Sequence, residues 1–332
     1  TSTNIPIIGG NQNSNNGMHD AVVFKLNSNL TNLLWSTYFG GTNDDAAYSL
    51  QLNSQNQAVV TGGTISNNLN TTGNALNTFY QGAVDGFVVK YNSTASAILS
   101  ASYIGTSSYD QSYFVQIDAN DNVYLFGQTE GAYPITPSIV YNNPGSGQFL
   151  HKLDNNLTTT SFSTVFGSGN GINISPSAFM VSDCDLIYVS GWGGTVNNQG
   201  NTFNMPLSTN AFQATTDGDD FYLGVFNSNA TGLLYSTYFG GNISGEHVDG
   251  GTSRFDRKGK IYQAICAGCG FYSDLPIQPS NALSSTNNSS CNLGVFKMNF
   301  DLPIVIADFD TPPIGCEPFT YTFIIIFLII QG

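Results

Sequence analysis

The stretch DAVVFKLNSNLTNLLWSTYFGG, residues 20–41, decides the reading of this chain. Its first half, an apolar strand-like run closed by Asn27, returns as DGFVVKYN (85–92), QFLHKLD (148–154), DFYLGVFN (220–227) and NLGVFKMN (292–299). The closing residues Asn27, Asn92, Asp154, Asn227 and Asn299 stand 65, 62, 73 and 72 positions apart. One structural unit therefore recurs four times and then begins again, and such a repeat fixes architecture far more firmly than it fixes chemistry.

The second half of the stretch repeats in the same order, as LLWSTYFGG (33–41), LSASYIG (99–105), SFSTVFG (161–167) and LLYSTYFGG (233–241). Each copy ends in glycine, at Gly40, Gly105, Gly167 and Gly240, which suits a positive φ or a close backbone approach. Two further segments then pair across a polar turn: AYSLQLN with QAVVTGG (47–63), YFVQID with NVYLFG (113–127), SAFMVS with LIYVSGWGG (177–194), and GGTSRF with KIYQAI (250–265). Alternating apolar and polar residues broken by Asn, Asp and Gly clusters are the hairpin pattern, and no segment sustains a helical period.

Four antiparallel strands per unit, repeated, match the blades of a β-propeller, because one four-stranded sheet cannot bury both of its faces alone. A linear array of small separate β-domains is the competing architecture, and it would need a second sheet in each unit. The expected division is a tail of a preceding repeat at 1–19, blade repeats at 20–84, 85–147, 148–219 and 220–291, and a closing strand at 292–300. The last strand, Leu293–Met298, reads as an orphan that completes a blade lying upstream of Thr1. Residues 301–332 lie beyond the repeats.

Composition narrows the function classes. The 332 residues include only 9% charged side chains, against roughly 25% in ordinary soluble proteins, so uncharged polar groups carry solubility. Twenty-two acidic residues face eight basic ones, a net charge of −14 without a Lys/Arg cluster, and nucleic-acid binding is excluded as an expectation. The apolar run IIIFLII near the C-terminus is too short to span a bilayer, which takes about 20 residues, and reads as a buried or intermolecular strand.

Cys184, Cys266, Cys269 and Cys291 fall in the third and fourth units, and Cys316 lies beyond them. Cys266 and Cys269 have the spacing of a zinc half-site, but no second such pair follows and His19, His151 and His247 show no ligand spacing. Disulfides are the expectation: Cys184 with Cys266 across neighbouring blades and Cys269 with Cys291 within one loop, among three possible pairings. Acidic clusters at Asp44 and Asp45, at Asp118 and Asp121, and at Asp217, Asp219 and Asp220 are candidate Ca²⁺ ligands, the alternative being Asx-turns; no EF-hand spacing is completed. No other cofactor is implied. Trp192, flanked by glycines in SGWGG, is the candidate for stacking on a sugar, and blade packing is the alternative. No G-x-S-x-G motif is present, and the three histidines sit at unrelated repeat positions, so catalytic residues are not expected.

LLYSTYFGG, Asp121-Asn122-Val123-Tyr124, DGFVVKYN, and the tails around Ile5-Pro6-Ile7, Tyr133-Pro134-Ile135, Met205-Pro206-Leu207 and Leu275-Pro276-Ile277 together resemble the SBBP family of β-propeller repeats, found in large secreted bacterial proteins. The resemblance covers residues 1–300; the double glycine is lost after Gly105 and Gly167, and the proline tail is missing near residue 71. The fourth unit is similar to the final repeat of a Bacteroidetes subgroup in which an immunoglobulin-like PKD domain follows. IVIADFDTPPIGCEPFTYTF (304–323) is similar to the first strand and turn of such a domain, from which IIIFLII departs, so the resemblance implies that residues 301–332 are the truncated start of an immunoglobulin-like β-sandwich. The resemblance implies a surface protein exported by type IX secretion and associated with gliding motility. The expected role is non-enzymatic display or adhesion, or a place in an extracellular filament, with surface proteins, glycans or further copies of itself as partners and no membrane span. A carbohydrate-binding or carbohydrate-active propeller is the alternative.

Overall fold

The computed structural model describes residues 4–194, 200–248, 253–300 and 302. Among them are eighteen β-strands and no helix. The first sheet pairs β1 (Ala21–Leu26) with β2 (Leu33–Phe39). A second sheet runs β3 (Asp45–Leu52), β4 (Ala58–Thr64), β5 (Asp85–Tyr91), β6 (Ile98–Ile104), and a third β7 (Asp110–Ile117), β8 (Val123–Thr129), β9 (Gln148–Leu153), β10 (Thr160–Phe166). The fourth is β11 (Ser175–Val181), β12 (Ile187–Trp192), β13 (Phe221–Phe226), β14 (Leu233–Phe239). In the last, β15 (Gly245–His247) and β16 (Ser253–Phe255) share one side of β17 (Ile261–Cys269), and β18 (Asn292–Met298) takes the other. Neighbouring strands pair antiparallel throughout.

The first strands of successive sheets touch in turn, β3 with β7, β7 with β11 and β11 with β16. Four-stranded antiparallel sheets set radially with their first strands innermost are propeller blades, and the chain folds as a β-propeller. The blades, however, are cut at a different phase from the sequence units. The three complete blades take their two inner strands from one unit and their two outer strands from the next, so the lead-in strands β5, β9 and β13 occupy the third position. That phase corrects the expectation for the last strand. Rather than awaiting an upstream blade, β18 pairs with β17 from Ile261↔Met298 to Ala267↔Asn292. Its Phe296 ring lies tilted against Phe239 of the preceding blade, 4.3 Å between centroids, which holds the strand in the apolar seam. The immunoglobulin-like start and the apolar run at 324–330 lie outside the described residues.

The recurring Asn or Asp that closes each lead-in is a turn device. Asn27 Oδ1 accepts from the backbone N–H groups of Thr31 and Asn32, and Asp154 Oδ1 from those of Thr158 and Thr159. Three residues on, Leu30, Ala95, Leu157 and Ala230 all adopt a left-handed φ of 53–59°. Ala95, Leu157 and Ala230 are fully buried there, in the apolar clusters, so packing offsets the conformational cost. Between blades the core is aromatic: Phe39 lies 5.0 Å from Phe87, Phe126 5.6 Å from Phe179, and Phe221 5.9 Å from Phe296, centroid to centroid. Each such ring contributes about 1.5–3 kcal/mol through burial.

The tails between the fourth and first segments cover the blades' outer edges. Ser36 Oγ donates to the Pro6 carbonyl, Ser163 Oγ to that of Pro134 and Ser236 Oγ to that of Pro206, at 2.6, 2.6 and 2.9 Å. Where the proline is missing, Asn77 substitutes, with its N–H donating to Ser102 Oγ at 3.0 Å. The serine of the SxxF-like run is thus the buckle that pins each tail, and an edge strand that would otherwise expose unpaired backbone groups is protected.

Candidate functional site

The glycine that ends each outer strand sits in a seam between blades, and close approach explains it at three of four positions. Only Gly167 has a positive φ. A Cβ on Gly40 would lie 2.5 Å from the Asp20 carboxyl carbon and 2.8 Å from Asp45 Oδ2. On Gly105 it would meet Asp85 Oδ1 at 2.9 Å and Asp110 Oδ2 at 3.1 Å, and on Gly240 it would run into Asp220 and Glu246. At each seam the residue that opens a third strand faces the residue that opens the next blade.

Backbone pairing builds this arrangement. Val84 and Tyr109 form a parallel bridge, as do His19 and Asp44, so the residues that follow stand side by side: Asp85 with Asp110, and Asp20 with Asp45. The Asp110 N–H donates to the Val84 carbonyl at 2.8 Å, and the Glu246 N–H to that of Asp219 at 3.0 Å. Asp110 Oδ2 accepts from both the N–H and the hydroxyl of Thr106 at 2.7 Å, and Asp85 Oδ2 from the Gln81 N–H at 2.7 Å. Asp85, Asp110 and Asp220 are fully buried, yet Oδ1 of each has no hydrogen-bond partner. The third seam is uncharged: Gln148 faces Asn173 across Gly167.

Burial raises the affinity of these carboxyl groups for protons. Asp85 is pushed up to about 6, chiefly by desolvation and further by Asp110. Glu246 reaches about 7 and Asp220 about 8 for the same leading reason, with Asp274 acting on the first and Asp217 and Glu246 on the second. The residues just before Asp220 border a hollow of about 510 Å³, lined by Phe203, Asp217, Gly218 and Asp219. Beside it Asp274 Oδ2 receives three backbone N–H groups, from Asn242, Ile243 and Ser244.

The residues singled out in sequence are scattered. Asp44 contacts His19, while Asp45 accepts from Thr64, Ser66 and the Gly41 N–H within the first seam. Asp118 and Asp121 sit at the opposite end of β7, in its hairpin turn. Asp118 binds the Asn120 and Asn122 N–H groups and Lys152 Nζ at 3.0 Å, and Asp121 accepts from Ser54. Among the described residues no group of three or more His, Cys, Asp or Glu side chains is placed to hold a metal ion. Trp192 is half-buried and tilted against His247, 5.7 Å between rings, so it packs on a neighbouring blade.

Cys269 and Cys291 form the expected disulfide, across 22 residues of the last tail. The other expected pair is overturned: Cys184 is disulfide-bonded, but Cys266 is a thiol. Gln263 of β17 already meets Ser190, six residues along from Cys184, and Cys266 lies three residues farther on. At roughly 3.3 Å per residue that separation far exceeds the reach of a disulfide, about 7 Å between Cα atoms.

Sequence reasoning named Asp45 and Asp220, as Ca²⁺ candidates, and missed their seam partners Asp20 and Glu246 and the whole pair Asp85 and Asp110. Their signal was present, since three of the five quoted lead-ins begin with Asp and an acid follows the strand-ending glycine by five or six positions. Neither feature alone distinguishes a buried acid from a turn residue.

No protein-family model matches the chain, and no curated protein matches it. Among solved structures it is similar to a PL25 polysaccharide lyase, an ulvan lyase, at 16% identity and a TM-score of 0.38, covering 76% of this chain and 55% of that one. It is also similar to the Dos1 propeller, at 10% identity and a TM-score of 0.34 over 76% and 50% of the two chains. BamB from Moraxella catarrhalis is matched at 11% identity and a TM-score of 0.31 over 81% and 80%. The chain thus spans about half the length of the lyase and of Dos1.

Proposed function

We propose that this propeller is a non-enzymatic display or adhesion module of a large secreted surface protein of the SBBP-repeat type, with its binding surfaces on the loops that differ between blades. The observation that carries the reading is how the recurring polar residues are used. Ser36, Ser102, Ser163 and Ser236 buckle the tails, and the Asn and Asp residues at the strand ends close turns. What remains unlike from blade to blade is surface, and binding residues concentrate on such loops. The Cys269–Cys291 disulfide supports an oxidising, extracellular setting, and among the described residues no helix is long and apolar enough to cross a membrane.

Surface proteins, glycans and further copies of the chain are the proposed partners. An array of bacterial surface glycans and proteins, probed with the purified chain, tests the reading. Saturable binding that survives alanine substitution at Asp85 or Asp220 but is lost on replacing exposed loop residues such as Phe79, Ile139 or Phe212 is expected. Binding that instead requires the seam acids would overturn it.

A further inference from the structure

We propose that the two buried carboxyl pairs Asp85–Asp110 and Asp220–Glu246 each hold one shared proton, forming protonation-controlled clasps between neighbouring blades. At the first pair two fully buried carboxyl groups stand side by side against Gly105, each with an unpartnered Oδ1. Two like charges at such separation cannot both be retained without water, a cation or a proton. Among the described residues no cation is placed against them. Tyr80 and Tyr103 face Asp85, and Tyr133 faces Asp110. The two ion pairs among the described residues, His19–Asp44 and Lys152–Asp118, lie elsewhere.

At the second pair Asp217 and Tyr238 face Asp220, Asp274 faces Glu246, and Asp219 in turn faces Asp217. All are neutral or acidic. A Ca²⁺ ion would need about six to eight oxygen ligands, whereas the remaining carboxyl oxygens here are met by N–H and hydroxyl donors.

The uncharged seam supplies the control that the molecule carries itself. With the Gln148 amide turned to satisfy its surroundings, its oxygen accepts from the Asn173 N–H at 2.8 Å and its nitrogen donates to the Phe166 carbonyl at 3.3 Å. There amide hydrogens satisfy the junction at every pH. The carboxyl pairs must take a hydrogen from solvent, and they lose it when the pH rises.

The sign follows from linkage. Between the unfolded carboxyl value of about 4 and the folded value of about 6 at Asp85, the folded protein binds the extra proton, so stability falls as pH rises through that window and then levels. For Asp220 the fall extends to about 8. The test is isotope-edited infrared spectroscopy of protein with ¹³C-labelled aspartate carboxyls, with unfolding midpoints of wild type, Asp85→Asn and Asp110→Asn measured from pH 4 to 9. A protonated-carboxyl band persisting above pH 5 is expected, weakened in either variant and lost only when Asp220→Asn is added, with the variants gaining stability over wild type as the pH rises. Should one variant fail to fold, the other carries the comparison, and Asp85→Gln/Asp110→Asn copies the uncharged seam. No such band, or parallel pH profiles, would overturn the proposal. So would Ca²⁺ raising the midpoint of wild type but not of Asp85→Asn, which would make the seam a cation site.

Discussion

Replacing Ser236 by alanine removes one hydroxyl and leaves the chain otherwise unchanged, which makes it the cleanest probe of the tail buckle. The hydroxyl donates to the Pro206 carbonyl at 2.9 Å and accepts from the Ser208 N–H at 2.8 Å, and Ser236 itself is fully buried. Each hydrogen bond contributes about 0.5–1.5 kcal/mol net, and a stranded buried partner costs about 1–3 kcal/mol. Some of the partners' surroundings are open, so a loss of about 1–3 kcal/mol is expected. Urea unfolding supplies the stability change, and limited proteolysis reports whether the tail at 201–219 is released before the blades unfold. The exposed Ser93 serves as control. A Ser236→Ala change within about 0.5 kcal/mol of Ser93→Ala, with the tail equally resistant to protease, would refute the buckle.

Three further outcomes are expected. His151 is buried between the Tyr133 hydroxyl and Thr160, and burial lowers it to about 4, so the unfolded chain takes the proton first. Stability should therefore fall by up to about 3 kcal/mol as the pH drops from 6.5 towards 4, and His151→Leu should remove that slope in acid unfolding curves. Gly127→Ala puts a Cβ into the Gln111 carbonyl and 2.5 Å from the Phe149 ring, which should cost about 1–3 kcal/mol, while Gly73→Ala, with open space around it, should be neutral in the same thermal melt. Breaking the Cys269–Cys291 bond, which closes a separation of 22 residues, should cost about 3 kcal/mol and make the 270–290 tail protease-sensitive.

Much of the fold was legible because strand alternation and turn chemistry are local. Asn27, Asn92 and Asp154 announced their turns, and the apolar lead-ins announced strands. The blade phase was hidden, since which strands share a sheet depends on pairing between units and not on the order of segments within one. The orphan reading of Leu293–Met298 failed for that reason: β18 occupies the position that β5, β9 and β13 hold in their sheets. Glycines such as Gly105 signalled a constraint without saying which, and only their closeness to Asp85 and Asp110 identifies it. Cys184 and Cys266 looked like partners because blades are neighbours, but sequence does not report how far along a strand each sulfur lies. Asp118 and Asp121 looked like ligands for the same reason that they make turns, as short side chains with oxygens near backbone N–H groups.

Turnover is the most direct discriminator between a scaffold and a carbohydrate-active propeller. The purified chain, incubated with a panel of charged and neutral polysaccharides, can be followed at once for new reducing ends and for the absorbance of unsaturated lyase products. The expected result is no product above buffer for any polymer, with retention on an immobilised partner unaffected by Asp85→Asn or Asp220→Asn. Product that forms with wild type and disappears in a folded seam variant would contradict the scaffold reading and make the seam an active site.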